Sequence, residues 1–273
     1  MKIAIIGKGF VGSAVCNAFP NVEKLIVDPQ VKGSLTIEHA LAEQPQFVFV
    51  CVPTPMGDDG DCDTSNVSQV LSEIAKNASV HENPIVIIKS TVPPSFFDDI
   101  EEKYFLDVVH NPEFLREHNY SDDMINSNKV LLGGDPNWCK MVSFLYTEHS
   151  IIKPCPHIIT DHKTAALVKY TINSYLATKV VFFNELFDVV SMTLGKDADW
   201  DNFIDILKLD PRMGDSHMDV PGHDGSRGFG GKCFPKDTSA FLKYAEKCGC
   251  DLDLLQKAYN KNVKLRQGTK TVH

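Results

Sequence analysis

A glycine-rich turn near the start of the chain is the feature that most restricts how this sequence can fold. Residues 7–12 read GKGFVG, directly after the apolar run Lys2–Ile6 and directly before an amphipathic stretch, so the turn joins a strand to a helix. Gly7 permits a tight turn, Gly9 lets a pyrophosphate approach the backbone, and Gly12 allows the helix to pack closely on the strand. Because N–H groups point outwards at a helix N-terminus, the turn predicts a dinucleotide site.

An acidic residue at the end of the second predicted strand indicates which dinucleotide is bound. Asp28 follows the turn at roughly the 20-residue distance from which a carboxylate hydrogen-bonds the ribose 2′-hydroxyl. The same carboxylate would repel a 2′-phosphate, so NAD is expected rather than NADP. A glycine-rich turn without a ligand is the alternative, but it does not require a strand, a helix and an acid in this order.

Short apolar runs alternate with amphipathic stretches through the first half of the chain. The predicted strands are Lys2–Ile6, Lys24–Val27, Phe47–Val52, Ile85–Lys89, Leu106–His110 and Lys129–Leu132. The predicted helices between them are Phe10–Phe19, Thr36–Glu43, Asn66–Ala78, Ser95–Lys103 and Asn137–Tyr146. Runs rich in β-branched residues suit strands that are buried on both faces of a parallel sheet. The alternation predicts an α/β fold, a Rossmann-like doubly wound parallel sheet.

The second half lacks strand signals and is dominated by one long helix. The pattern from Asp161 to Leu194 is helical, with Thr160 or Asp161 as the N-cap and Gly195 as the stop. The later part of this helix is apolar on nearly every side, which is typical of burial in a larger assembly, so we expect a homodimer through residues 161–194. Shorter helices are predicted at Trp200–Lys208, Thr238–Cys248 and Leu252–Leu265. The predicted domains are an α/β domain at 1–160 and an all-α domain at 161–273.

The composition is that of a globular protein and argues against several classes of function. The net charge of −9 disfavours binding to nucleic acid, which requires a basic surface. No signal peptide is visible, and no apolar run reaches the roughly 20 residues that cross a bilayer. Eight scattered cysteines indicate reduced thiols and a cytoplasmic protein. The ten histidines form no i, i+4 pair with a carboxylate partner, so no metal site is expected.

One cysteine in the second half has neighbours that suit a reactive thiol. Residues 228–237 read GFGGKCFPKD, which places Cys233 in a glycine-rich bend with a lysine on either side. Nearby lysine charge favours the thiolate, which is the nucleophilic form. If Asp237 begins a helix, the N-terminus of that helix favours the anion further. A buried structural cysteine is the alternative, but lysine and glycine are not the neighbours found in an apolar cluster.

Three loops leave the carboxyl ends of later predicted strands, where ligands of open α/β sheets bind. They are Val52–Pro55, Ser90–Pro94 and Asn111–Glu117. Taken singly, each loop is explained by a turn with a satisfied polar side chain. Three of them at one edge of a sheet indicate a ligand crevice.

Together these motifs resemble the UDP-glucose/GDP-mannose dehydrogenase family over nearly the whole chain. The resemblance rests on the glycine turn, the three loops, Lys169 and Asn173 on the long helix, and residues 228–237. It implies oxidation of the C6 alcohol of a nucleotide sugar, UDP-glucose in the first place, to a carboxylate. The two oxidation steps release two NADH.

The resemblance also implies catalytic roles. Cys233 matches the nucleophile, which captures the C6 aldehyde as a thiohemiacetal whose oxidation gives a thioester. Lys169 matches a lysine that stabilises oxyanions, with a solvated helix lysine as the plain alternative. Asn173 projects from the same helix face, because it lies one turn further on. Asp237 matches an aspartate that works with this lysine through a water.

Hydrolysis of the thioester is assigned by resemblance to Glu113, with Thr91 holding the attacking water. The implied cofactor contacts are Gly7, Gly9, Phe10, Val11, Gly12, Asp28, Val52, Pro53, Thr54, Ser90, Thr91, Glu117 and Lys236. The implied substrate contacts are Glu113, Phe114, Leu115, Arg116, Lys169, Asn173, Arg212, Phe229, Gly230, Gly231 and Cys233. A surface ion pair is the alternative role for Arg212.

Two departures from the family pattern leave alternatives open. The loop at residues 223–227 is longer than in many relatives and lies beside the expected substrate site in sequence. Relatives continue into a C-terminal nucleotide-binding domain, so we expect a short form that lacks this domain. The alternatives are a two-electron hydroxyacid dehydrogenase, which has no use for Cys233, and an NAD-binding subunit that needs a partner supplying the domain.

Overall fold

The chain divides into two compact units. The structure is a computed structural model that describes residues 1–78, 83–195 and 197–268. Unit 1 comprises Met1–Pro55 and Cys62–Lys169, and unit 2 comprises Met56–Asp61 and Tyr170–His273. One long helix contributes residues to both units, so the domain boundary between residues 160 and 161 stays a prediction.

Unit 1 is built on a seven-stranded sheet with the order β2-β1-β3-β4-β5-β6-β7. The strands are β1 Lys2–Ile6, β2 Glu23–Val27, β3 Phe47–Val50, β4 Ile85–Ile88, β5 Val108–His110, β6 Val130–Gly134 and β7 His157–Thr160. Neighbours from β2 to β5 pair in parallel, and so do β6 and β7. The pairing of β5 with β6 is antiparallel. The predicted Rossmann-like fold is confirmed, but the sheet is mostly rather than wholly parallel.

Helices cover both faces of this sheet. The helices of unit 1 are α1 Phe10–Ala18, α2 Ile37–Ala42, α3 Ser65–Asn77, α4 Ile100–Tyr104, α5 Tyr120–Ile125 and α6 Pro136–His149. Ala4 and Ile6 of β1 belong to one core with residues of α2 and α3, whereas Ile3 and Ile5 belong to a second core with residues of α1 and α6. Alternate side chains of a strand point to opposite faces, so a sheet covered on both sides requires strands that are apolar throughout.

Two elements of unit 1 are absent from the predictions. The first, β7, has only four residues at the edge of the sheet, and Ile158 and Ile159 are 44% and 38% exposed. A short strand that is half-exposed on both faces gives neither an alternating pattern nor a buried run. The second, α5, is a six-residue helix that is too short to show a helical period.

The single helix predicted at Ser95–Lys103 is wrong, because the structure has two short helices there. The structure has a short 3-10 helix at Pro94–Phe97 and then α4. Asp98 and Asp99 lie between the two. Short acidic side chains compete for backbone hydrogen bonds and favour turns over helix interiors, which accounts for the interruption.

The helices of the second half are α7 His162–Leu194, which begins in unit 1, and α8 Trp200–Lys208, α9 Phe234–Lys247 and α10 Asp253–Gly268. The long helix was predicted correctly. Asp161 is its N-cap, because the Asp161 carboxylate accepts a hydrogen bond from Thr164 N at 2.9 Å. Gly195, with φ +95°, ends it. In the described ranges, no helix is both long and apolar enough to cross a membrane.

Helix α9 begins earlier than predicted. Its first residue is Phe234 rather than Thr238, and Pro235 lies in its first turn. Proline is favoured at the first helical position because the missing N–H is not needed there. Asp237 therefore does not begin a helix but lies inside the first turn of one.

Candidate active site

The glycine turn has the geometry that a dinucleotide requires. Gly7 has φ +87°, and a Cβ built on it would lie 2.7 Å from the carbonyl oxygen of Cys51. A Cβ on Gly12 would lie 2.0 Å from the carbonyl oxygen of Gly7, so both positions require glycine. A Cβ on Gly9 would meet no atom within 4 Å. Because α1 begins at Phe10 without a side-chain cap, the turn offers open space and N–H groups to a pyrophosphate.

Asp28 is held against this turn. One oxygen of its carboxylate accepts a hydrogen bond from Lys8 N at 2.6 Å, and the other accepts one from Gln30 N at 2.8 Å. The strand order reverses at β1, which lies between β2 and β3, and open α/β sheets bind ligands at such a reversal. The residues present therefore fit NAD, with Asp28 at the end of β2 where the ribose is expected.

Two of the three predicted loops brace each other. The Ser90 hydroxyl donates a hydrogen bond to the carbonyl oxygen of Val52 at 2.7 Å, and Asn66 donates one to the carbonyl oxygen of Pro53 at 3.0 Å. Thr54 and Ser90 are buried. The carbonyl oxygen of Thr91 lies 3.5 Å from the thiol of Cys62. The structure thus joins the loops after β3 and β4, as the sequence predicts.

The third loop carries a buried ion pair. The Lys169 ammonium donates to the Glu113 carboxylate at 2.9 Å and to the Glu113 carbonyl oxygen at 2.6 Å. The other carboxylate oxygen of Glu113 accepts a hydrogen bond from Leu115 N at 2.6 Å. Lys169 and Glu113 are 2% and 5% exposed, and the Lys169 ammonium also lies 5.4 Å from the centre of the Phe114 ring. Lys169 is therefore not a solvated helix lysine.

A second buried carboxylate lies in unit 2. Asp237 is 1% exposed, and its oxygens accept hydrogen bonds from Asn173 Nδ2 at 2.6 Å and from the Lys236 ammonium at 2.5 Å. These contacts compensate the cost of burying the negative charge. The structure thus joins three predicted site residues, while the cofactor contact assigned to Lys236 stays a prediction.

Cys233 is the N-cap residue of α9. Its carbonyl oxygen accepts the first backbone hydrogen bond of the helix, from Asp237 N at 2.8 Å. The thiol is thus placed at the end of the helix where the partial positive charge of the backbone favours an anion. Such a position suits a nucleophilic cysteine.

The glycine-rich bend before Cys233 is held by two buried asparagines that the sequence analysis missed. The amide of Asn262 accepts a hydrogen bond from Phe229 N at 2.7 Å and donates one to Phe229 O at 3.0 Å. Asn184 Oδ1 accepts a hydrogen bond from Gly228 N at 3.0 Å. A Cβ on Gly228, which has φ +74°, would lie 2.4 Å from Asn262 Oδ1. Glycine in the motif signals a close approach, but the partner asparagines lie too far along the chain for any local pattern to identify them.

The predicted arginines have partners within the protein. Arg116 binds Asp123 at 2.6 Å and 3.0 Å, and Arg212 binds Asp210 at 2.5 Å with 87% of its side chain exposed. The substrate contacts of both arginines and of Gly231 stay predictions, and so does the cofactor contact of Glu117. A Cβ on Gly230 would lie 2.5 Å from the guanidinium of Arg266, so a larger residue there would displace the end of the Arg266 side chain. Within the described ranges, no group of three or more His, Cys, Asp or Glu residues could hold a metal ion.

Comparison with protein families gives two matches along the chain. The NAD binding domain of the UDP-glucose/GDP-mannose dehydrogenase family matches residues 20–150, and the central domain of that family matches residues 163–264. UDP-glucose 6-dehydrogenase TuaD of Bacillus subtilis (strain 168) is 30% identical over 253 residues, which cover 90% of this chain and 52% of that protein. The chain thus spans about half the length of this relative.

Solved structures share the fold. A UDP-glucose dehydrogenase from the archaeon Pyrobaculum islandicum has a TM-score of 0.80 at 24% identity, covering 96% of this chain and 68% of that one. The 3-hydroxyisobutyrate dehydrogenase of Mycobacterium tuberculosis has a TM-score of 0.74 at 16% identity, covering 98% of this chain and 94% of that one. At these identities the likeness concerns the fold alone.

Proposed function

Because the chain belongs to the UDP-glucose/GDP-mannose dehydrogenase family, we propose that it oxidises a nucleotide sugar at C6 to the carboxylate, with UDP-glucose as the first candidate. NAD, when bound, accepts a hydride in each of two oxidations. The observation that carries the proposal is the position of Cys233 at the N-terminus of α9, with the buried Asp237–Asn173 pair in the same unit. A two-electron dehydrogenase needs no nucleophile at this position.

In the first oxidation the C6 alcohol loses a hydride and a proton. We assign the proton to Asp237, whose carboxylate is ordered by Asn173 and Lys236. Lys169, four residues before Asn173 on α7, stabilises the negative charge that develops on the C6 oxygen. The product of this step is the aldehyde.

In the second oxidation Cys233 is the nucleophile. Its thiolate forms a bond to the aldehyde carbon, and the carbonyl oxygen takes the negative charge. Lys169 and Asn173 stabilise that oxygen, with Lys169 as the proton donor that completes the thiohemiacetal. The thiohemiacetal carbon then loses a second hydride, and its hydroxyl returns the proton to Lys169, which gives the thioester on Cys233.

Hydrolysis of the thioester is assigned to Glu113. A general base that removes a proton from water must be able to accept it, and the Glu113 carboxylate is held in place by Leu115 N and by Lys169. Water adds to the thioester carbon, the C–S bond breaks, and the Cys233 thiol and the sugar carboxylate are released. Thr91 is proposed to hold this water.

We propose a homodimer through residues 161–194. Apolar side chains on the later part of α7 are exposed in the single chain, among them Phe182, Val189 and Met192 at 56%, 59% and 89%. Burial of such side chains against a second copy would be favourable. A cytoplasmic location is proposed from the cysteines, none of which forms a disulfide in the described residues.

The number of NADH molecules released per sugar distinguishes the proposed function from its two alternatives. The purified protein is incubated with NAD and UDP-glucose, GDP-mannose or UDP-N-acetylmannosamine, and NADH is counted per sugar consumed. Two NADH per sugar supports the proposal, and one supports a two-electron dehydrogenase. No NADH indicates a subunit that needs a partner to supply a nucleotide-binding domain.

The variant Cys233→Ala tests the covalent step. It should abolish formation of the sugar carboxylate, because the aldehyde is no longer captured for the second hydride transfer. Cys248→Ala, which removes an exposed thiol at the other end of α9, is the matched control. Undiminished carboxylate production by Cys233→Ala would refute the thioester.

A further inference from the structure

Unit 1 contains a buried lysine that the proposed reaction does not use. Lys89 follows β4 and is 3% exposed. Its ammonium donates a hydrogen bond to Asn111 Oδ1 at 3.0 Å, and no carboxylate oxygen in the described residues lies within 4 Å of it. A buried ammonium without an anionic partner costs folding free energy, so this position calls for an explanation.

The hydrogen-bond partner of Lys89 begins the loop that carries Glu113. Asn111 Oδ1 also accepts a hydrogen bond from the Tyr146 hydroxyl at 2.6 Å, and Asn111 Nδ2 donates to the carbonyl oxygen of Leu131 at 2.8 Å. Only Pro112 separates Asn111 from Glu113. The Lys89 ammonium therefore helps to fix the point from which Glu113 projects.

The charge of Lys89 interacts with that of Glu113. Lys89 and Glu113 line the same small cleft in unit 1. Since Glu113 is paired with one ammonium, that of Lys169, the ammonium of Lys89 leaves the three groups with one net positive charge when all are ionised. The ionisable groups around Lys89 are Cys51, His110, Glu113 and Lys169, which interact with its charge, Tyr146, which shares its acceptor Asn111 Oδ1, and Lys129, which lines the same cleft.

Three of these neighbours are neutral near pH 7. Burial raises the pKa of the Cys51 thiol to about 12 and lowers the pKa of His110 to about 3. Burial also raises the pKa of the Tyr146 phenol. The pKa of Lys89 itself is lowered by burial to about 8, so its positive charge is present at neutral pH and is lost as the pH rises through about 8.

We propose that Lys89 is a positioning residue for the Glu113–Lys169 pair, which holds Asn111 by its hydrogen bond and stabilises the Glu113 carboxylate by its charge. The catalytic part of this proposal rests on the function proposed above. The burial of the Lys89 ammonium is then accounted for by its place beside the residue proposed to perform hydrolysis.

The pH profile of turnover tests the charge. Wild-type kcat should fall as the pH rises past about 8, because Lys89 then loses its proton. Lys89→Arg keeps the charge to higher pH, since the pKa of arginine exceeds about 12, and should move the fall upward by at least about one pH unit. Lys89→Met should lower kcat at pH 7 roughly tenfold and remove the fall near pH 8.

The control is Lys76→Met, which removes an exposed lysine of α3 in the same unit and should leave the profile unchanged. Profiles of Lys89→Arg and Lys89→Met that superimpose on the wild-type profile would overturn the proposal. A Lys89→Met variant with lower kcat but an unchanged fall near pH 8 would show a structural role instead.

Unfolding gives a readout that needs no turnover. The folded pKa of Lys89, about 8, lies below the ordinary value of 10.5, so the unfolded chain binds more protons between these values. Stability therefore rises with pH across this window, and the cost of Lys89 is full below pH 8. The Tm of Lys89→Met minus that of the wild type should be zero or positive at pH 7 and should decrease towards pH 10.

A Tm that Lys89→Met lowers equally at pH 7 and pH 10 would overturn the proposal, because the lysine would then contribute only a hydrogen bond. If the wild-type chain shows no turnover with any nucleotide sugar, the proposed function fails. The Tm differences at pH 7 and pH 10 then still test, without any turnover, whether Lys89 carries a buried charge that has no anionic partner.

Discussion

Glu113 in unit 1 and Asp237 in unit 2 are both buried carboxylates with a lysine partner, but they are held in different ways. The lysine of Glu113 lies 56 residues further along the chain and is 3% exposed at its side chain. The lysine of Asp237 is its neighbour in sequence and is 16% exposed at its side chain. Glu113 is therefore enclosed with its partner, whereas the partner of Asp237 can reach solvent. The two carboxylates thus differ in how far their lysine partners are shielded from water.

Lys169→Met should give the largest effect on stability. It leaves the Glu113 carboxylate buried without its counter-charge, which costs about 3–5 kcal/mol of unfolding free energy. Urea denaturation at pH 7 measures the loss, and the double variant Lys169→Met/Glu113→Gln should recover part of it. A loss below about 1 kcal/mol would mean that the pair is not buried in solution.

Lys236→Met should give a smaller effect in the same measurement. Asp237 keeps the hydrogen bond from Asn173, so we expect a loss of about 1–3 kcal/mol. The KM for NAD should rise if the predicted cofactor contact of Lys236 exists. A loss equal to that of Lys169→Met would remove the distinction between an enclosed pair and one with a partly exposed lysine.

Arg212→Ala should give the smallest effect. The Arg212 side chain is 87% exposed and pairs with Asp210, so its removal should leave the midpoint of urea denaturation unchanged. The KM for the nucleotide sugar then tests the predicted substrate contact separately. Arg116→Ala is the matched variant in unit 1, where Arg116 pairs with Asp123. A large loss of stability in Arg212→Ala would contradict the exposed position of this side chain.

The parts of the candidate site that are formed by the backbone were predicted well from the sequence. The turn at residues 7–12 depends on glycines, a preceding strand and a following helix, and all three are local signals. The same holds for the long helix, which has an acidic N-cap and a glycine stop. The start of α9 is the exception, because Pro235, a residue that also ends helices, lies in the first turn of this one.

Where function depends on distant side chains, the sequence was not sufficient. Asn262 and Asn184 hold the bend before Cys233 from positions 33 and 44 residues away from their partners. Lys89 reads as the end of a strand, and its burial depends on elements that pack around it. Such contacts depend on how distant elements pack together, and a local sequence pattern does not show this packing. The antiparallel direction of β6 was missed because the residue pattern of a strand is the same in either direction.

The two edges of the sheet have a consequence for association of the chain in concentrated solution. At one edge, β2 begins with the charged pair Glu23 and Lys24, and at the other edge β7 has only four residues. A charged or short edge offers a foreign strand few hydrogen bonds, and natural sheets use both features against aggregation. Pairing of the edge strands of two copies, which would extend the sheet into fibres, is therefore disfavoured. The closed pair proposed through residues 161–194 is then the route of self-association that we expect.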